Sequence, residues 1–480
     1  MMRKRIGTHS RALLACALLA AMAATSMAAP SAAALSRTAN ELKAREIFAR
    51  VIAFKTSIGF GQVPEMAKYL AGEFRAAGFP AADIQWFPLG ETGSLLVRYR
   101  GNGTGGKPIL MLSHMDVVTA KREDWVRDPF TLTEENGFFY GRGTFDIKES
   151  LTCIVATLLR LKSEGFVPRR DLVLFLTGDE ETTMDTERDM MAKHRDLLDA
   201  DFALNPDAGS ADLDEATGKP IIYGFETAEK TYANYTLTVH NPGGHSAEPR
   251  ADNAIYELAA ALAKVQAYQF PVMSNETTRA FFTGSAALVP PPLGPAMHDF
   301  AADPGNVAAA QVLSKDSHYV GMLRTTCVAT MLQGGHAENA LPETATANVN
   351  CRIFPGVDPV AVQHTLEQVV PKGVEVAMSG TPFWSGPSPL RPDVVDAITR
   401  TVHTLHPGIP VVPRQDSGAS ENIVTRGAGI PTYGTFESFI KPSDYFAHGL
   451  NEREPVASFY EGLQFWYLLL NDLAGPKKGK

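Results

Sequence analysis

The sequence predicts an α/β fold with a mixed, mostly parallel sheet, into which a ferredoxin-like α+β domain is inserted. Apolar strand-like runs alternate with amphipathic helical patterns over residues 39–209, and the same alternation returns after Leu390. Strands that alternate with helices favour a parallel sheet covered by helices. From Tyr232 the order becomes strand, helix, strand, strand, helix, strand, which is typical of a ferredoxin-like unit.

The first part of the main domain begins with two amphipathic helices and continues as alternating strands and helices. Apolar residues spaced three and four apart indicate the helices, and short apolar runs indicate buried strands. We predict helices at residues 39–55, 63–77, 149–161 and 187–198, and strands at residues 95–99, 109–113, 171–176 and 202–204.

The inserted domain and the last part of the chain follow from the same rules. We predict strands at residues 232–240, 325–332, 344–353 and 374–378 and helices at residues 254–266 and 360–369, followed by helices at 394–405 and 454–472 and a strand at 432–435. The Pro-rich section 270–319 is either a partly helical insertion or a mobile loop. The domains are therefore residues 36–228 and 381–475 for the main domain and residues 229–380 for the inserted one.

The N-terminal segment, residues 1–34, has the features of a secretory signal peptide. Arg3, Lys4 and Arg5 precede an apolar run at residues 12–22, and small residues suitable for cleavage follow. An uncleaved membrane anchor is the alternative, but the run is short and rich in alanine. We expect an exported protein, periplasmic or secreted, that has no membrane contact after signal cleavage.

Charge and cysteine content narrow the function further. A chain of 480 residues with a formal net charge of −9 does not suit a general nucleic-acid binder. Cys327 and Cys351 lie in two strand-like segments and could pair in an oxidising compartment, whereas Cys153 lies in an apolar helical pattern typical of a buried thiol. No CxxC pair is present, so a zinc site built on cysteine pairs is not predicted.

Metal-ligand residue types follow several predicted strands. The buried strand at 171–176 leads into Asp179-Glu180-Glu181, and the strand at 109–113 leads into His114-Met115-Asp116. Ligands bind beyond the carboxyl ends of strands in open α/β sheets. Adjacent acids repel one another unless a cation or a proton compensates them. The alternative without a metal is an acid-rich helix start for Asp179-Glu180-Glu181 and a structural His–Asp hydrogen bond for His114-Met115-Asp116.

Three further residues extend this set. Asp146 follows the glycine-rich segment 141–143, Asp207 follows the strand at 202–204, and His448 opens His448-Gly449-Leu450-Asn451-Glu452. A carboxylate such as that of Asp146 can bridge two cations; it could equally cap the next helix. Taken together, these residues predict a two-metal hydrolase.

The motifs together resemble the M20 family of co-catalytic zinc hydrolases, which includes glutamate carboxypeptidases, aminoacylases, deacylases and dipeptidases. The resemblance covers almost the whole chain after Leu42. It rests on His114-Met115-Asp116, Gly141-Arg142-Gly143-Thr144-Phe145-Asp146-Ile147-Lys148, Asp179-Glu180-Glu181, Asn205-Pro206-Asp207-Ala208-Gly209, Gly243-Gly244-His245-Ser246 and His448-Gly449-Leu450-Asn451-Glu452.

The resemblance implies a role for each matching residue. His114, Asp146 and Asp207 would hold one Zn2+, and Asp146, Glu181 and His448 the other, with Co2+ or Mn2+ as alternative metals. Asp116 would orient His114, and Glu180 would be the general base toward a water shared by both metals. In the inserted domain, which is a lid in this family, His245 would polarise the scissile carbonyl and reach the neighbouring subunit's site in a homodimer. Asn339 and Arg352 would bind substrate.

The resemblance also implies the reaction, which is hydrolysis of an amide bond in a small substrate. The dipeptidase and aminopeptidase branches tend to have Asp at the position of Asp207, whereas Arg352 suits a substrate with a free carboxylate. An exopeptidase or dipeptidase acting on small peptides satisfies both. An N-acyl-amino-acid amidohydrolase is the alternative, and a binding protein on an inactive scaffold is opposed by the complete set of ligands and base.

Overall fold

The computed structural model describes residues 37–476, so the predicted signal peptide lies outside the described residues. The helices are α1 (Ala39–Ile52), α2 (Val63–Ala76), α3 (Lys148–Ser163), α4 (Asp185–Lys193), α5 (Ala254–Ala267), α6 (Glu276–Ser285), α7 (Leu293–Ala302), α8 (Val307–Leu313), α9 (Val320–Leu323), α10 (Pro359–Val369), α11 (Pro392–Leu405), α12 (Asn422–Gly427) and α13 (Val456–Ala474). Among the described residues, no helix combines the length and apolarity that a bilayer crossing needs.

The strands form two larger sheets and two small ones. They are β1 (Ile84–Leu89), β2 (Thr92–Tyr99), β3 (Ile109–His114), β4 (Thr133–Glu135), β5 (Phe138–Tyr140), β6 (Leu172–Thr177), β7 (Phe202–Asn205), β8 (Ser210–Leu213), β9 (Pro220–Glu229), β10 (Thr231–His240), β11 (Gly244–His245), β12 (Thr326–Gly334), β13 (Ala340–Leu341), β14 (Thr344–Ile353), β15 (Val374–Ser379), β16 (Val411–Asp416), β17 (Thr432–Gly434) and β18 (Arg453–Pro455).

The main sheet is mixed, with a parallel centre, as the sequence predicts. Its order is β1-β2-β6-β3-β7-β17-β9-β16, and β8 pairs with β9. Strands β6, β3, β7 and β17 run parallel, whereas β2 joins β6 and β9 joins β17 in antiparallel fashion. Strands β3 and β6 are buried along their whole length, which explains their continuous apolar sequences. The parallel centre places the carboxyl ends of β6, β3 and β7 side by side.

A small three-stranded sheet brings two distant loops together next to that edge. Its order is β18-β5-β4, and Arg453 pairs with Tyr140. The loop after β5 contains Asp146, and the loop before β18 contains His448. Pairing of β5 with β18 therefore brings these two residues to the same end of the molecule, although 302 positions separate them in the sequence.

The segment that the sequence identifies as the inserted domain has its own antiparallel sheet, in the order β12-β14-β10-β15. This is the strand order expected of a ferredoxin-like unit. Helices α5 and α10 pack on one face, and Leu237, Leu258 and Val349 belong to the core between them and the sheet. Cys327 and Cys351 are cross-strand neighbours on β12 and β14 and form a disulfide, while Cys153 is buried and free.

The Pro-rich section 270–319, for which the sequence left two readings open, is a helical insertion. It forms α6, α7 and α8, and Phe282, Met297 and Phe300 lie in a small apolar core of its own. Helix α6 packs against β16 of the main sheet, where Asn275 donates a hydrogen bond to Gln415 (3.0 Å). Burial of its own apolar side chains explains why this section is ordered.

Several strands do not follow from the apolar patterns of the sequence, and the longest of them is β9. Its final residues include the buried acids Glu226 and Glu229, and such polar positions hide a strand from any search for apolar runs. Arg426 on α12 pairs with Glu226 and with Glu229, both at 2.9 Å. The charges are thus compensated by a residue nearly 200 positions away, which local sequence patterns do not reveal.

Candidate metal centre

Two groups of three side chains meet at the carboxyl edge of the main sheet, and they share Asp146. The first ligand set is His114, Asp146 and Asp207, and the second ligand set is Asp146, Glu181 and His448. Within each set, one ligand atom of every residue lies within 4.8 Å of the others. The structure therefore brings together all five residues that the sequence predicts as metal ligands.

Asp146 lies between the two imidazoles. Its Oδ1 atom is 3.3 Å from Nε2 of His114, and its Oδ2 atom is 3.1 Å from Nε2 of His448. Asp207 Oδ2 is 3.9 Å from His114 Nε2, and Glu181 Oε2 is 3.0 Å from His448 Nε2. Each carboxylate oxygen of Asp146 thus faces a different ligand set, as a bridging ligand requires.

The strand ends position three of these residues. His114 is the last residue of β3, Glu181 follows β6, and Asp207 follows β7. The side chain of Asn205 accepts a hydrogen bond from the backbone N–H of Asp207 (3.0 Å), which fixes the turn after β7. Because β6, β3 and β7 are parallel neighbours, their C-terminal residues converge without help from any long-range loop.

Asp116 acts through a different contact from the one that the sequence suggests. Nδ1 of His114 hydrogen-bonds to the backbone carbonyl of Asp116 at 3.0 Å, whereas the Asp116 carboxylate lies 3.6 Å away. That carboxylate accepts the backbone N–H groups of Glu180 and Glu181, both at 3.1 Å. The carbonyl therefore orients the imidazole, and the carboxylate holds the Glu180-Glu181 backbone in place.

The electrostatics of the site call for positive charge. Burial raises the pKa of Glu180 and of Asp207 well above the usual value. Burial alone would lower the pKa of His114, but Asp146 and Asp207 raise it well above its usual value. Hydrogen bonds to Asp146 and Glu181 raise the pKa of His448 to about 10. These carboxylates therefore favour positive charge beside them, either as protons on the imidazoles or as bound cations.

The state of the His114 imidazole shows that these side chains suit divalent metal ions. Nε2 of His114 is buried and makes no hydrogen bond of acceptable geometry with any described residue. It points at the carboxylates of Asp146 and Asp207, while the other ring nitrogen is occupied by the Asp116 carbonyl. A buried nitrogen without a hydrogen bond, facing two carboxylates, is the arrangement of a metal-binding imidazole whose second nitrogen is fixed.

Glu452 is a functional residue to which the sequence analysis gave no role. Its side chain is fully buried, and Oε1 accepts the backbone N–H groups of Gly143, Phe145 and Asp146 at 3.0, 2.8 and 3.0 Å. Its other oxygen pairs with Arg142. Glu452 thereby holds the loop that carries Asp146. Its place in the motif that begins with His448 was the only signal in the sequence.

We expect Glu452→Gln to weaken metal binding by about 10- to 100-fold, because a neutral amide oxygen accepts the three N–H groups more weakly than a carboxylate and the Arg142 ion pair is lost. Metal titration of the purified variant measures the change. Glu65→Gln, on an exposed position of α2, is the matched control and should bind normally. Circular dichroism of both metal-free proteins separates positioning from unfolding, and unaltered affinity in a folded Glu452→Gln would contradict this role.

A cleft of about 810 Å³ opens over the two ligand sets. It is lined by the acids of the site and by His448, and also by side chains from the helical insertion and its end. Phe281 on α6, Met322 on α9 and the loop residue His318 lie in its wall. The insertion therefore contributes Phe281 and His318 to the wall of the cleft.

The predicted substrate-binding residues of the lid lie elsewhere. His245 on β11 and Asn339 beside β13 are exposed neighbours in a two-stranded ribbon, in which Ser246 donates its N–H to the Asn339 carbonyl (3.0 Å). The Arg352 guanidinium stacks on Tyr232 at 4.7 Å from the ring centroid. Within the described chain, none of these three residues lines the cleft. Their roles remain predictions.

Comparison with protein families gives a match over most of the chain. The model of peptidase family M20/M25/M40 matches residues 110–472. This range contains both ligand sets, Glu180 and Glu452.

Individual relatives match this chain over most of its length. The N-fatty-acyl-amino acid synthase/hydrolase PM20D1 of Xenopus tropicalis is 28% identical over 417 residues, which cover 85% of this chain and 80% of the relative. A probable carboxypeptidase S-like 2 of Dictyostelium discoideum is 26% identical over 395 residues, or 79% of this chain and 74% of the relative. The M20 family metallo-carboxypeptidase Sso-CP2 of Sulfolobus solfataricus has the same fold, with a TM-score of 0.68 at 17% identity over 90% of this chain and 99% of that one.

Proposed function

We propose that this chain, which belongs to peptidase family M20/M25/M40, cleaves the amide between an apolar acyl group and an amino acid with two zinc ions. Membership of this family makes it a hydrolase of amide bonds. The observation that carries this proposal is the position of Phe281 and Met322, which line the cleft together with the ligand sets. Apolar side chains from the insertion give the cleft a wall suited to an acyl chain.

In this proposal, zinc is held by the residues that the sequence predicts. His114, Asp146 and Asp207 would bind one ion, and Asp146, Glu181 and His448 the other. Nitrogen and carboxylate oxygen are ligands that zinc accepts, and Co2+ or Mn2+ suits the same donors. When bound, the ions would polarise the substrate carbonyl and lower the pKa of water.

Glu180 belongs to neither ligand set but lines the same cleft, which suits a general base. Its carboxylate takes a proton from the attacking water as the new C–O bond forms. It then gives that proton to the amide nitrogen as the C–N bond breaks. A carboxylic acid and a free amino acid leave the site, so the proton and the electron pairs balance.

The relatives support an acyl-amino-acid substrate. The Xenopus protein is named as a synthase and hydrolase of N-fatty-acyl amino acids. In the present chain, Phe281 is on α6 and lines the same cleft as the acids of the site. Fatty-acyl chains gain affinity from each methylene group that they bury, so the insertion would set the preferred acyl length.

Phe281→Ala is expected to lower kcat/KM for a long-chain N-acyl amino acid by about tenfold or more, because about 1–3 kcal/mol of apolar contact is lost. The N-acetylated amino acid, whose acyl group is short, should be cut at nearly the normal rate. Val307→Ala is the control, since Val307 is on the same insertion but is exposed. An equal loss for both acyl lengths would contradict the proposed role of the insertion.

An exopeptidase or dipeptidase acting on small peptides is the second candidate. Asp212 favours it, because this acid lines the cleft near Asp207 and could accept the α-ammonium group of a peptide. A free dipeptide and its N-acetylated counterpart, offered to the zinc-loaded enzyme, decide between the candidates. Cleavage of the free dipeptide alone would reject the acyl-amino-acid proposal.

A homodimer that forms through the lid would explain the placement of His245, Asn339 and Arg352 outside the cleft of their own chain. The lid offers a surface for it: Val328, Met331 and Leu332 on the edge strand β12 are exposed apolar residues. In such a dimer, His245 would polarise the scissile carbonyl at the partner's site, and Arg352 would grip the substrate carboxylate. Sedimentation of wild-type protein against Met331→Asp tests this arrangement.

Export is proposed on the signal-like segment 1–34. The disulfide between Cys327 and Cys351 supports it, because such bonds persist in oxidising compartments. The N-terminus of the mature chain, determined by mass spectrometry, tests this proposal.

A further inference from the structure

A second cluster of ionisable side chains is buried inside the main domain, away from the cleft. Glu149 and Cys153 are one turn apart on α3, Glu437 follows β17, and Glu454 is on β18. None of the four side chains is more than 1% exposed. One ligand atom each of Glu149, Cys153 and Glu437 lies within 4.8 Å of the other two. No member of this cluster belongs to either catalytic ligand set.

Two of the three carboxylates in this cluster lack hydrogen bonds, whereas Glu149 accepts one from the Ser150 hydroxyl at 2.8 Å. Both oxygens of Glu437 and both of Glu454 are buried without a hydrogen bond of acceptable geometry among the described residues. The Trp466 indole lies near Glu437 and the Ser438 hydroxyl lies near Glu454, but neither is in hydrogen-bond geometry. Over residues 37–476, no lysine, arginine or histidine forms an ion pair with any of the three acids. Buried carboxylates in this state require either protons or a cation.

The thiol favours a cation. Cys153 Sγ donates a hydrogen bond to Glu149 Oε1 at 3.2 Å, and this separation is also close to the spacing of two ligands on one tetrahedral ion. Zinc accepts a cysteine thiolate together with carboxylate oxygens. Glu149 and Cys153 are four residues apart on one helix, so both side chains point the same way without distortion of the backbone.

The neighbouring helix is shaped to leave room for the cluster. Residue 462 on α13 is a glycine, and a Cβ atom there would lie 2.8 Å from Glu437 Cγ, 3.2 Å from Cys153 Sγ and 3.4 Å from Glu149 Oε1. Any larger residue would push into the cluster. Glycine at this position therefore lets α13 approach while these three side chains keep their mutual positions.

We propose that Glu149, Cys153 and Glu437 hold a third divalent cation, of the zinc type, that joins α3 to the C-terminal part of the main domain. Binding releases the thiol proton and any protons on Glu149 and Glu437 to the solvent, and Glu454 keeps its proton and so limits the negative charge beside the ion. The three ligands span residues 149–437, so the ion links the two parts of the main domain that the lid separates in the sequence. Its role is to stabilise the fold, and it does not depend on the proposed substrate.

Cobalt substitution tests this site directly. Cys153 is the free cysteine of the described chain, and the two catalytic ligand sets contain no sulfur. A thiolate-to-cobalt charge-transfer band in the near ultraviolet would therefore report the third site alone. Cys153→Ser should lose this band and one equivalent of bound metal. Asp207→Asn should keep the band while binding at the catalytic centre weakens.

X-ray absorption at the zinc edge covers the case in which Cys153→Ser fails to fold. The wild-type protein, loaded with zinc to saturation, should show about one sulfur neighbour for every three zinc ions, at roughly 2.3 Å. Two zinc ions per chain with only nitrogen and oxygen neighbours, and no cobalt charge-transfer band, would overturn the proposal and show that the cluster is held by protons. That result would not affect the two catalytic metal ions, so the proposed third site can fail while the proposed function stands.

Discussion

Glu180→Gln is expected to lower kcat by about 10²- to 10⁴-fold while the protein still binds both catalytic metal ions. The carboxylate of Glu180 belongs to neither ligand set, so its loss leaves every metal-binding atom in place. The glutamine amide has nearly the same size but cannot take a proton from water. Because Asp116 binds the backbone N–H and not the side chain of residue 180, the loop should keep its position.

The neighbouring residue provides a matched control. Glu181→Gln is the same chemical change one position later, but Glu181 belongs to the second ligand set. It should lose metal as well as activity, whereas Glu180→Gln should lose activity alone with KM nearly unchanged. Steady-state kinetics on an N-acyl amino acid, together with metal analysis of the same samples, separates the two outcomes. Near-normal kcat in Glu180→Gln would remove Glu180 from the role of general base.

The part of the site that depends on strand ends could be predicted from sequence. His114, Glu181 and Asp207 each follow an apolar run that is long enough to be a buried strand, and the structure places these strands side by side. Once the strands are parallel neighbours, the residues after them must meet at one edge. Local pattern and a general rule of α/β sheets were sufficient here.

The contribution of the loops depends on pairings that local patterns do not contain. Asp146 and His448 meet because β5 pairs with β18, and each of these strands is only three residues long. The sequence predicted a helix from Glu454, but this residue is on β18, and α13 begins at Val456. The family resemblance identified both ligands without explaining how they converge. Glu452, which holds the Asp146 loop by three backbone N–H groups, explains part of it.

The start of α4 shows the same limitation on a smaller scale. The sequence predicted this helix over residues 187–198, but it spans Asp185–Lys193. The carboxylate of Asp179 accepts the N–H groups of Asp185 and Thr186 at 2.8 and 3.0 Å, and so caps the helix from six residues away. Asp179 therefore supports the fold beside the site, while the two acids after it line the cleft.

Asp146→Ala is expected to remove both catalytic metal ions and to reduce activity to the background rate. Asp146 is the one residue that belongs to both ligand sets, and its two carboxylate oxygens face His114 and His448 separately. Without it, each set keeps two ligands and loses the group that shares its charge between two cations. A structural zinc site needs about four ligands and a catalytic one about three, so two remaining protein ligands should hold metal only weakly.

Asp207→Ala and His448→Ala are the informative controls, because each residue belongs to one set only. Each should cost one metal ion, while Asp146→Ala should cost two. Metal analysis after dialysis against a weak chelator measures these differences, and circular dichroism shows that the variants are folded. If Asp146→Ala lost a single ion, or the same ion as His448→Ala, Asp146 would be a ligand of one metal and the bridged arrangement would be wrong.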